Sequence, residues 1–521
     1  MSLAAVDTLH GRLPLSVCMI VKDEARNLPM ALASVKDWVQ EMVIVDTGSS
    51  DGTQAIAADM GARVLDFEWQ DDFAMARNVA LDAARGEWIL CLDADEFLLP
   101  DAREVLATAL RRKCLAQLVT IGLFAGVPEV REGRVQGPSV NQFASLRLIR
   151  RDPRIRYRGR VHEDVSESLL EIGASDWPGS GLFVVDHGYG EAQARELKRQ
   201  RNLRLLELAH AEQPGQLFLA YKLATTLPAS RQAERHALLM RTLAQARALD
   251  TAELRSLAFL PRLLAATVES CARQGQLCEA VDISQPFVGS LGAIVAFSTG
   301  RAAARAGLWD LAVSQLQDFL DRGRTQQGGV VLFDLDASEA QACRWLGWSC
   351  RMRGDLVQAG MWLERAMAAA QGTQRMSAGC EWVRLQLAQG QVERAAGHLD
   401  ILAPMAQDGS VARAELMLVS AEVSQAAGDM AGALELARAA MVDLDAGHEV
   451  FDAAAALLAM LEVQLVAPGE EMAESRVREL FGTVTGQRFD TLAVKWLLAQ
   501  RLGTPLAFAV PDATLALLGA A

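Results

Sequence analysis

The chain has 521 residues, a formal net charge of −14 and 51% hydrophobic residues, enough for two or three domains with sizeable cores. The excess of acid excludes nucleic acid as the main partner, because phosphate binding needs a basic surface. No run approaches the roughly 20 consecutive apolar residues that cross a bilayer, so no transmembrane segment is expected. The short apolar run SVCMIV has no basic stretch before it, and the eight cysteines show no CxxC spacing. Both features predict a cytoplasmic protein with reduced thiols.

Apolar runs at 15–21 (LSVCMIV), 42–46 (MVIVD), 62–67 (ARVLDF) and 87–93 (EWILCLD) predict strands, with helices near 26–37, 52–60 and 73–85 between them. Strands of this kind are buried on both faces of a parallel, doubly wound sheet. Ligands of such sheets lie beyond the carboxyl ends of the strands, where Asp46 closes the second run and Asp93 the fourth. A helix near 101–113 and strands at 116–124, 143–150 and 181–186 follow. Gly133, Gly137, Pro138, Pro153 and Gly159 mark loops between them.

In Asp93-Ala94-Asp95 the two carboxylates fall on one side of a short extended segment, a pattern able to hold a hard divalent cation such as Mg²⁺ or Mn²⁺. A solvated turn is the alternative. Glu96 is expected to point away from the pair. In VIVDTGSSDGTQAIA (43–57), Gly48 and Gly52 let a ligand approach the backbone, while Ser50 or Asp51 is suited to cap the next helix. A P-loop is excluded by the absence of GK[ST], and GxGxxG is missing from this turn.

After about residue 191, alanine and leucine dominate and glycines become punctuation. Gly275, Gly307, Gly354, Gly390 and Gly428 head turns, with Ala280, Ala312, Ala359, Ala395 and Ala433 five residues on. The steps Gly354–Gly390–Gly428 are near a 34-residue period, predicting a tetratricopeptide-like helical solenoid; a GRTQQGG loop accounts for the longer step before Gly354. Such stacks offer a long concave face to peptides or proteins.

Three stretches, LSVCMIVKDEARNLPMALASV, VIVDTGSSDGT and ARNVALDAARGEWILCLDADEFL, resemble in order and spacing the family 2 glycosyltransferases with the GT-A fold, over residues 15 to about 190. MIVKDE (19–24), RVHEDV (160–165) and DHGYG (186–190) are similar to a bacterial branch of that family. Asp23 stands where asparagine is often found there. Some members of the branch carry C-terminal tetratricopeptide repeats and glycosylate peptides or proteins; others act in lipopolysaccharide core synthesis. The resemblance implies an N-terminal extension (1–14), a GT-A domain (15–195), helical repeats (196–465) and a helical cap or tail (466–521). The apolar stretch 504–521 would cap the solenoid, pack on a partner or be disordered.

It further implies a nucleotide-sugar donor, usually UDP-linked, and Mn²⁺ or Mg²⁺. Asp46 would accept a hydrogen bond from the nucleobase or ribose, with Val21 and Glu24 lining the same pocket. Asp93 would face the ribose or the metal, and Asp95 would ligate the metal. Arg77 is either a second clamp on phosphate or a helix-surface arginine. His187 is either a third metal ligand or a loop histidine bonded to backbone. Glu163, and next to it Asp164, is placed as the general base, with His162 orienting one of them; a charged loop tip is the alternative. The implied reaction is a single inverting displacement onto Ser, Thr or Cys of a protein held by the repeats. A lipid-linked or lipopolysaccharide acceptor, and a scaffold with a vestigial transferase domain, are the alternatives. Dimerisation through the repeat helices is a further expectation.

Overall fold

The computed structural model describes residues 11–124, 127–131, 134–136, 139–188, 192–287, 291–325, 338–370, 372–408, 410–442, 444, 448–466 and 472–504. The predicted loop positions Gly133, Gly137 and Pro138, most of the GRTQQGG loop and the stretch 505–521 lie outside these residues. The chain forms two compact units, one within Met1–Pro228 and one from Ala229 onward.

The first unit runs β1 (Leu13–Val21), α1 (Leu28–Ala33), β2 (Val39–Asp46), α2 (Thr53–Asp59), β3 (Arg63–Asp66), α3 (Phe73–Ala83), β4 (Trp88–Cys91), β5 (Glu96–Leu98) and α4 (Ala102–Ala109). It continues with β6 (Ala116–Phe124), β7 (Glu129–Arg131), β8 (Arg134–Gln136), β9 (Ser139–Arg150), α5 (Ser166–Glu171), β10 (Gly179–Asp186), α6 (Ala192–Glu212) and α7 (Leu217–Thr226). Eight strands form one sheet in the order β3-β2-β1-β4-β9-β6-β10-β5, and β7 pairs with β8.

The four apolar runs form β1 to β4, mutually parallel where they pair. They read as continuous apolar segments because both faces are covered. In β1, Leu15, Val17, Met19 and Val21 enter one core cluster, while Cys18 and Ile20 face the other. Strand β4 splits the same way, Trp88 and Leu90 against Ile89 and Cys91. Each fully buried leucine or valine here contributes about 1.5–3 kcal/mol relative to exposure.

The sheet departs from the expected parallel one. Strand β9 is inserted antiparallel between β4 and β6, and β5 runs antiparallel to β10. Glu96, expected to point away, is instead buried on β5, opposite Asp186. A three-residue strand is too short for an alternating pattern to show, so its leading carboxylate, following two aspartates, reads as surface. The first unit also takes in α6 and α7 beyond the expected domain end at 195.

The second unit is helical: α8 (Gln232–Arg247), α9 (Thr251–Ser256), α10 (Leu260–Arg273), α11 (Leu277–Ser284), α12 (Ala293–Arg305), α13 (Trp309–Thr325), α14 (Glu339–Met352) and α15 (Leu356–Ala369). Then come α16 (Gly372–Ala388), α17 (Val392–Leu402), α18 (Ser410–Ala426), α19 (Met430–Ala439), α20 (Glu449–Leu465), α21 (Glu474–Thr483) and α22 (Phe489–Leu502). All five predicted turn glycines have positive φ, from 73° at Gly390 to 87° at Gly428, and each joins the two helices of a pair. The alanine five residues on is fully buried every time. At these positions small side chains let the paired helices approach.

The first helices of successive pairs, α10, α12, α14, α16, α18 and α20, each pack on the next. The row also turns back on itself. Arg305 of α12 pairs with Glu449 of α20 at 3.1 Å, and Trp309 of α13 stacks edgewise on Phe489 of α22, centroids 5.3 Å apart. Arg488 lies over the Trp348 ring at 5.4 Å. Buried Asp452 anchors the C-terminal helices by accepting backbone N–H bonds from Gly486 at 3.2 Å and Gln487 at 3.0 Å. Among the described residues no helix is long and apolar enough to cross a membrane.

Candidate active site

The parallel pairing brings three strand ends to one edge: Val21 lies opposite Asp46, and Cys18 opposite Cys91, two residues before Asp93. Past β2 the chain turns through Gly48 and Gly52, whose φ values of 101° and 90° suit residues without a Cβ. Asp46 organises this turn, its Oδ1 accepting from Gly48 N at 2.9 Å, Ser49 N at 2.8 Å and Gln54 Nε2 at 3.0 Å. Burial opposes its charge, but the bonds from Ser49, Gln54 and Gly48 outweigh it and hold the carboxyl below its ordinary range. Its Oδ2 is buried without a hydrogen-bond partner, an acceptor left over for a ligand's donor.

Asp23, the departure from the family pattern, adopts a left-handed φ of 54°. Its Oδ1 accepts from Ser50 N at 2.7 Å and its backbone N–H donates to Ser49 Oγ at 2.9 Å. This residue shapes the glycine loop. Glu24 accepts from Asn27 Nδ2 at 2.8 Å, and its pKa is raised by burial.

A cavity of about 1620 Å³ opens at these strand ends. Of the residues singled out in the sequence, Val21, Glu24, Arg77, Asp93, Asp95, His162, Glu163 and Asp164 all line it. Asp46 and His187 are not among the lining residues, but their chain neighbours Thr47, Asp186 and Gly188 are.

Arg77 is no surface arginine: it is buried on α3 and bridges two carboxylates, Asp93 Oδ1 at 2.7 Å and Glu163 Oε1 at 2.5 Å. Arg147 of β9, which nothing in the sequence singled out, reaches Asp93 Oδ2 at 3.1 Å and Glu96 Oε1 at 3.5 Å. Against the cost of burial, these two guanidinium groups hold Asp93 well below the ordinary carboxylate range. Glu96 goes the other way. Burial, with the Asp93 charge beside it, pushes it up to about 8 despite Arg147.

Asp95 is held differently, by Lys198 Nζ of α6 at 2.8 Å from its Oδ2. His187 donates its backbone N–H to Asp95 O at 3.1 Å and sets its ring 5.9 Å from that of Phe97. Burial lowers the His187 pKa, which keeps the imidazole neutral. Asp186, next to it, is pushed up to about 7 by burial and by the Asp95 charge. Among the described residues no group of three or more His, Cys, Asp or Glu is arranged to hold a metal ion. A Mg²⁺-type ion needs only one or two carboxylates when phosphate and water complete its shell. The mutual repulsion of Asp95 and Asp186 fits a cation of that class.

The loop 158–165 forms the opposite wall and is tied to α3 by Phe73 N donating to Arg160 O at 2.9 Å. His162 takes a left-handed φ of 55° and sets its ring edgewise to Phe218, 6.3 Å away. His162 stays open to the cavity, yet desolvation by the protein around it, then the Lys222 charge, lowers it to about 4, so it is neutral at ordinary pH. Asp164 Oδ1 accepts from Ser166 N at 2.6 Å, and its backbone bridges to Arg158. That makes Asp164 a turn-forming residue and leaves Glu163 as the carboxylate directed at the strand ends.

Lys198 and Arg201 of α6 and Phe218 of α7 complete the lining. They escaped sequence reading because α6 looks like one more charged helix ahead of the repeats.

The model of the family described as "Glycosyl transferase family 2" matches residues 16–158. A TPR repeat-containing protein of Synechococcus elongatus is 39% identical over 221 residues, covering 41% of this chain and 52% of that protein. The SPbeta prophage-derived glycosyltransferase SunS of Bacillus subtilis is 26% identical over 198 residues, covering 36% of this chain and 43% of SunS. The chain thus spans about half the length of these curated relatives. Among solved structures, glucosyl-3-phosphoglycerate synthase from Mycobacterium tuberculosis aligns with a TM-score of 0.27 and 16% identity, over 39% of this chain and 80% of that one.

Proposed function

We propose that the chain, whose residues 16–158 match the family 2 glycosyltransferase model, moves a sugar from a nucleotide-sugar, UDP-linked, to a protein or peptide side chain recruited by its helical repeats in the cytoplasm. The observation that carries this reading is the gathering of Val21, Asp93 and Asp95 at the strand ends around one cavity, facing Glu163. Asp46 Oδ2, buried and unpartnered, would accept from the nucleobase or ribose.

Asp95, with Asp186 beside it and His187 behind, would hold Mn²⁺ or Mg²⁺. When bound, such an ion neutralises charge on the leaving diphosphate. Glu163 would take the proton from the acceptor's hydroxyl or thiol as that group attacks the anomeric carbon, inverting it in a single displacement. Arg77, gripping Glu163 and Asp93 together, fixes the distance between base and donor side, and positioning of this kind is a large part of the rate.

A repeat unit tethered to a transferase domain favours a macromolecular acceptor, held at high effective concentration. The relative named for its TPR repeats, matched over 221 residues, supports that combination. The test is UDP-sugar turnover by wild type and Asp95→Ala, with mass spectrometry of proteins that co-purify. A partner glycosylated only when Asp95 is intact is the expected result. A modified lipid or lipopolysaccharide would replace the acceptor, and no turnover of any nucleotide-sugar would leave a scaffold.

A further inference from the structure

The cavity presents a charge problem. A nucleotide-sugar, the donor read above, brings a diphosphate to an edge already carrying Glu24, Asp93, Asp95 and Asp186. The two arginines nearest the strand ends are committed: Arg77 to Asp93 and Glu163, Arg147 to Asp93 and Glu96. Arg77 is buried in its two pairs, and Arg147, 14% exposed, keeps only its enclosed Nη1 unpartnered, so most of their charge is already spent on carboxylates.

Helix α6 supplies what is missing. Arg201 lines the cavity and makes no ion pair with any described residue; its guanidinium instead lies over the Phe73 ring at 4.9 Å. Phe73 packs edgewise on Trp69, centroids 4.9 Å apart, and Trp69 Nε1 donates to Asp71 Oδ1 at 3.0 Å. The cation is therefore braced from behind; its Nε and Nη2 donate only long bonds, 3.3 Å each, to the neutral Asn202 Oδ1, an acceptor that a charged, planar phosphate edge would displace. One turn earlier, Lys198 reaches Asp95, but its side chain stays 45% exposed. Its flexible stem lets the ammonium move between two anions a few ångströms apart. The helix itself is pinned at the cavity rim by Arg204 on Asp71 and by Glu212 on Arg160.

We infer that Lys198 and Arg201 of α6, both outside the segment that matches the family, form the diphosphate subsite of the donor, with Lys198 exchanging Asp95 for a phosphate oxygen when donor binds. The inference rests on the nucleotide-sugar reading of the preceding subsection. It makes α6 part of donor binding and not a spacer ahead of the repeats.

The test is calorimetric titration of UDP, with GDP and ADP in parallel, into the full chain as wild type, Arg201→Ala, Arg201→Lys and Lys198→Met. Uridine is followed by NMR as the probe lacking phosphate. Arg201→Ala and Lys198→Met should each weaken diphosphate binding about 10- to 100-fold, the size of a lost charge-assisted hydrogen bond. Arg201→Lys should recover part of it, and uridine binding should not change. Wild-type affinity for UDP in both variants, or an equal loss for uridine, overturns the assignment to α6. Wild type that binds none of the three diphosphates overturns the donor reading itself.

Discussion

Arg77 Nε donates to Glu163 Oε1 at 2.5 Å, joining residues 86 positions apart. The bond ties helix α3, which leads into β4 just ahead of Asp93, to the loop carrying the candidate base. The same guanidinium holds Asp93, so donor side and acceptor side of the cavity share one buried cation.

Glu163→Gln keeps the size and one acceptor oxygen for Arg77 but cannot take a proton. Turnover should fall about 10²- to 10⁴-fold, the usual contribution of a general base, with UDP affinity unchanged. Steady-state rates set beside calorimetry check this; an unaltered rate would move the base elsewhere.

Arg77→Met strips Glu163 of its cation and leaves Asp93 with Arg147 alone. Breaking a buried pair by removing one partner costs about 3 kcal/mol or more. Urea denaturation of the transferase unit should show that loss, and Arg77→Lys should lose less stability.

Asp95→Asn removes the charge that Lys198 now neutralises. Transfer should be abolished, and chelation of divalent ions should have the same effect on wild type. Circular dichroism should keep the helical signal, because the repeats owe nothing to this carboxylate. Full transfer in the variant or under thorough chelation would sink the metal-dependent reading.

His162 supplies a pH signature. Its folded-state pKa, lowered to about 4 by desolvation at the cavity wall and by Lys222, lies below the ordinary value of about 6.5. Between those values the unfolded chain binds the proton and the folded one does not, so stability is present above about pH 6.5 and drains away as pH falls toward 4. His162→Asn, which tolerates the left-handed backbone, should unfold with a shallower acid dependence over that window, measured as thermal midpoints at pH 4.5 and 7.

Asp452→Ala strips the acceptor from the backbone N–H groups of Thr485, Gly486 and Gln487. Unsatisfied buried donors cost about 1–3 kcal/mol each. Hydrogen exchange should rise first along residues 484–502, leaving the glycine-turn repeats protected.

Much of this was legible in the sequence for a physical reason. Apolar runs such as LSVCMIV are long because both faces of β1 are covered, and Gly-turn spacing repeats because each helix pair needs the same left-handed residue. What was hidden depends on long-range pairing. Arg147 sits in an ordinary alternating stretch, and only the insertion of β9 beside β4 carries it to Asp93. Glu96 follows two aspartates and looks hydrated until β10 covers it. Lys198 reads as a helix-surface cation because its anion is 103 residues away, and Arg201 because the ring beneath it, Phe73, belongs to a helix distant in sequence.

The return of α20 and α22 onto α12 and α13 also sets how the repeats come apart. A linear stack unzips from its ends, each unit answering only to its neighbours. Here Arg305–Glu449 and Trp309–Phe489 stitch early repeats to the last helices, so the end that would fray first is fastened to the middle. Pulled or heated, this half of the molecule should yield in one event and not link by link.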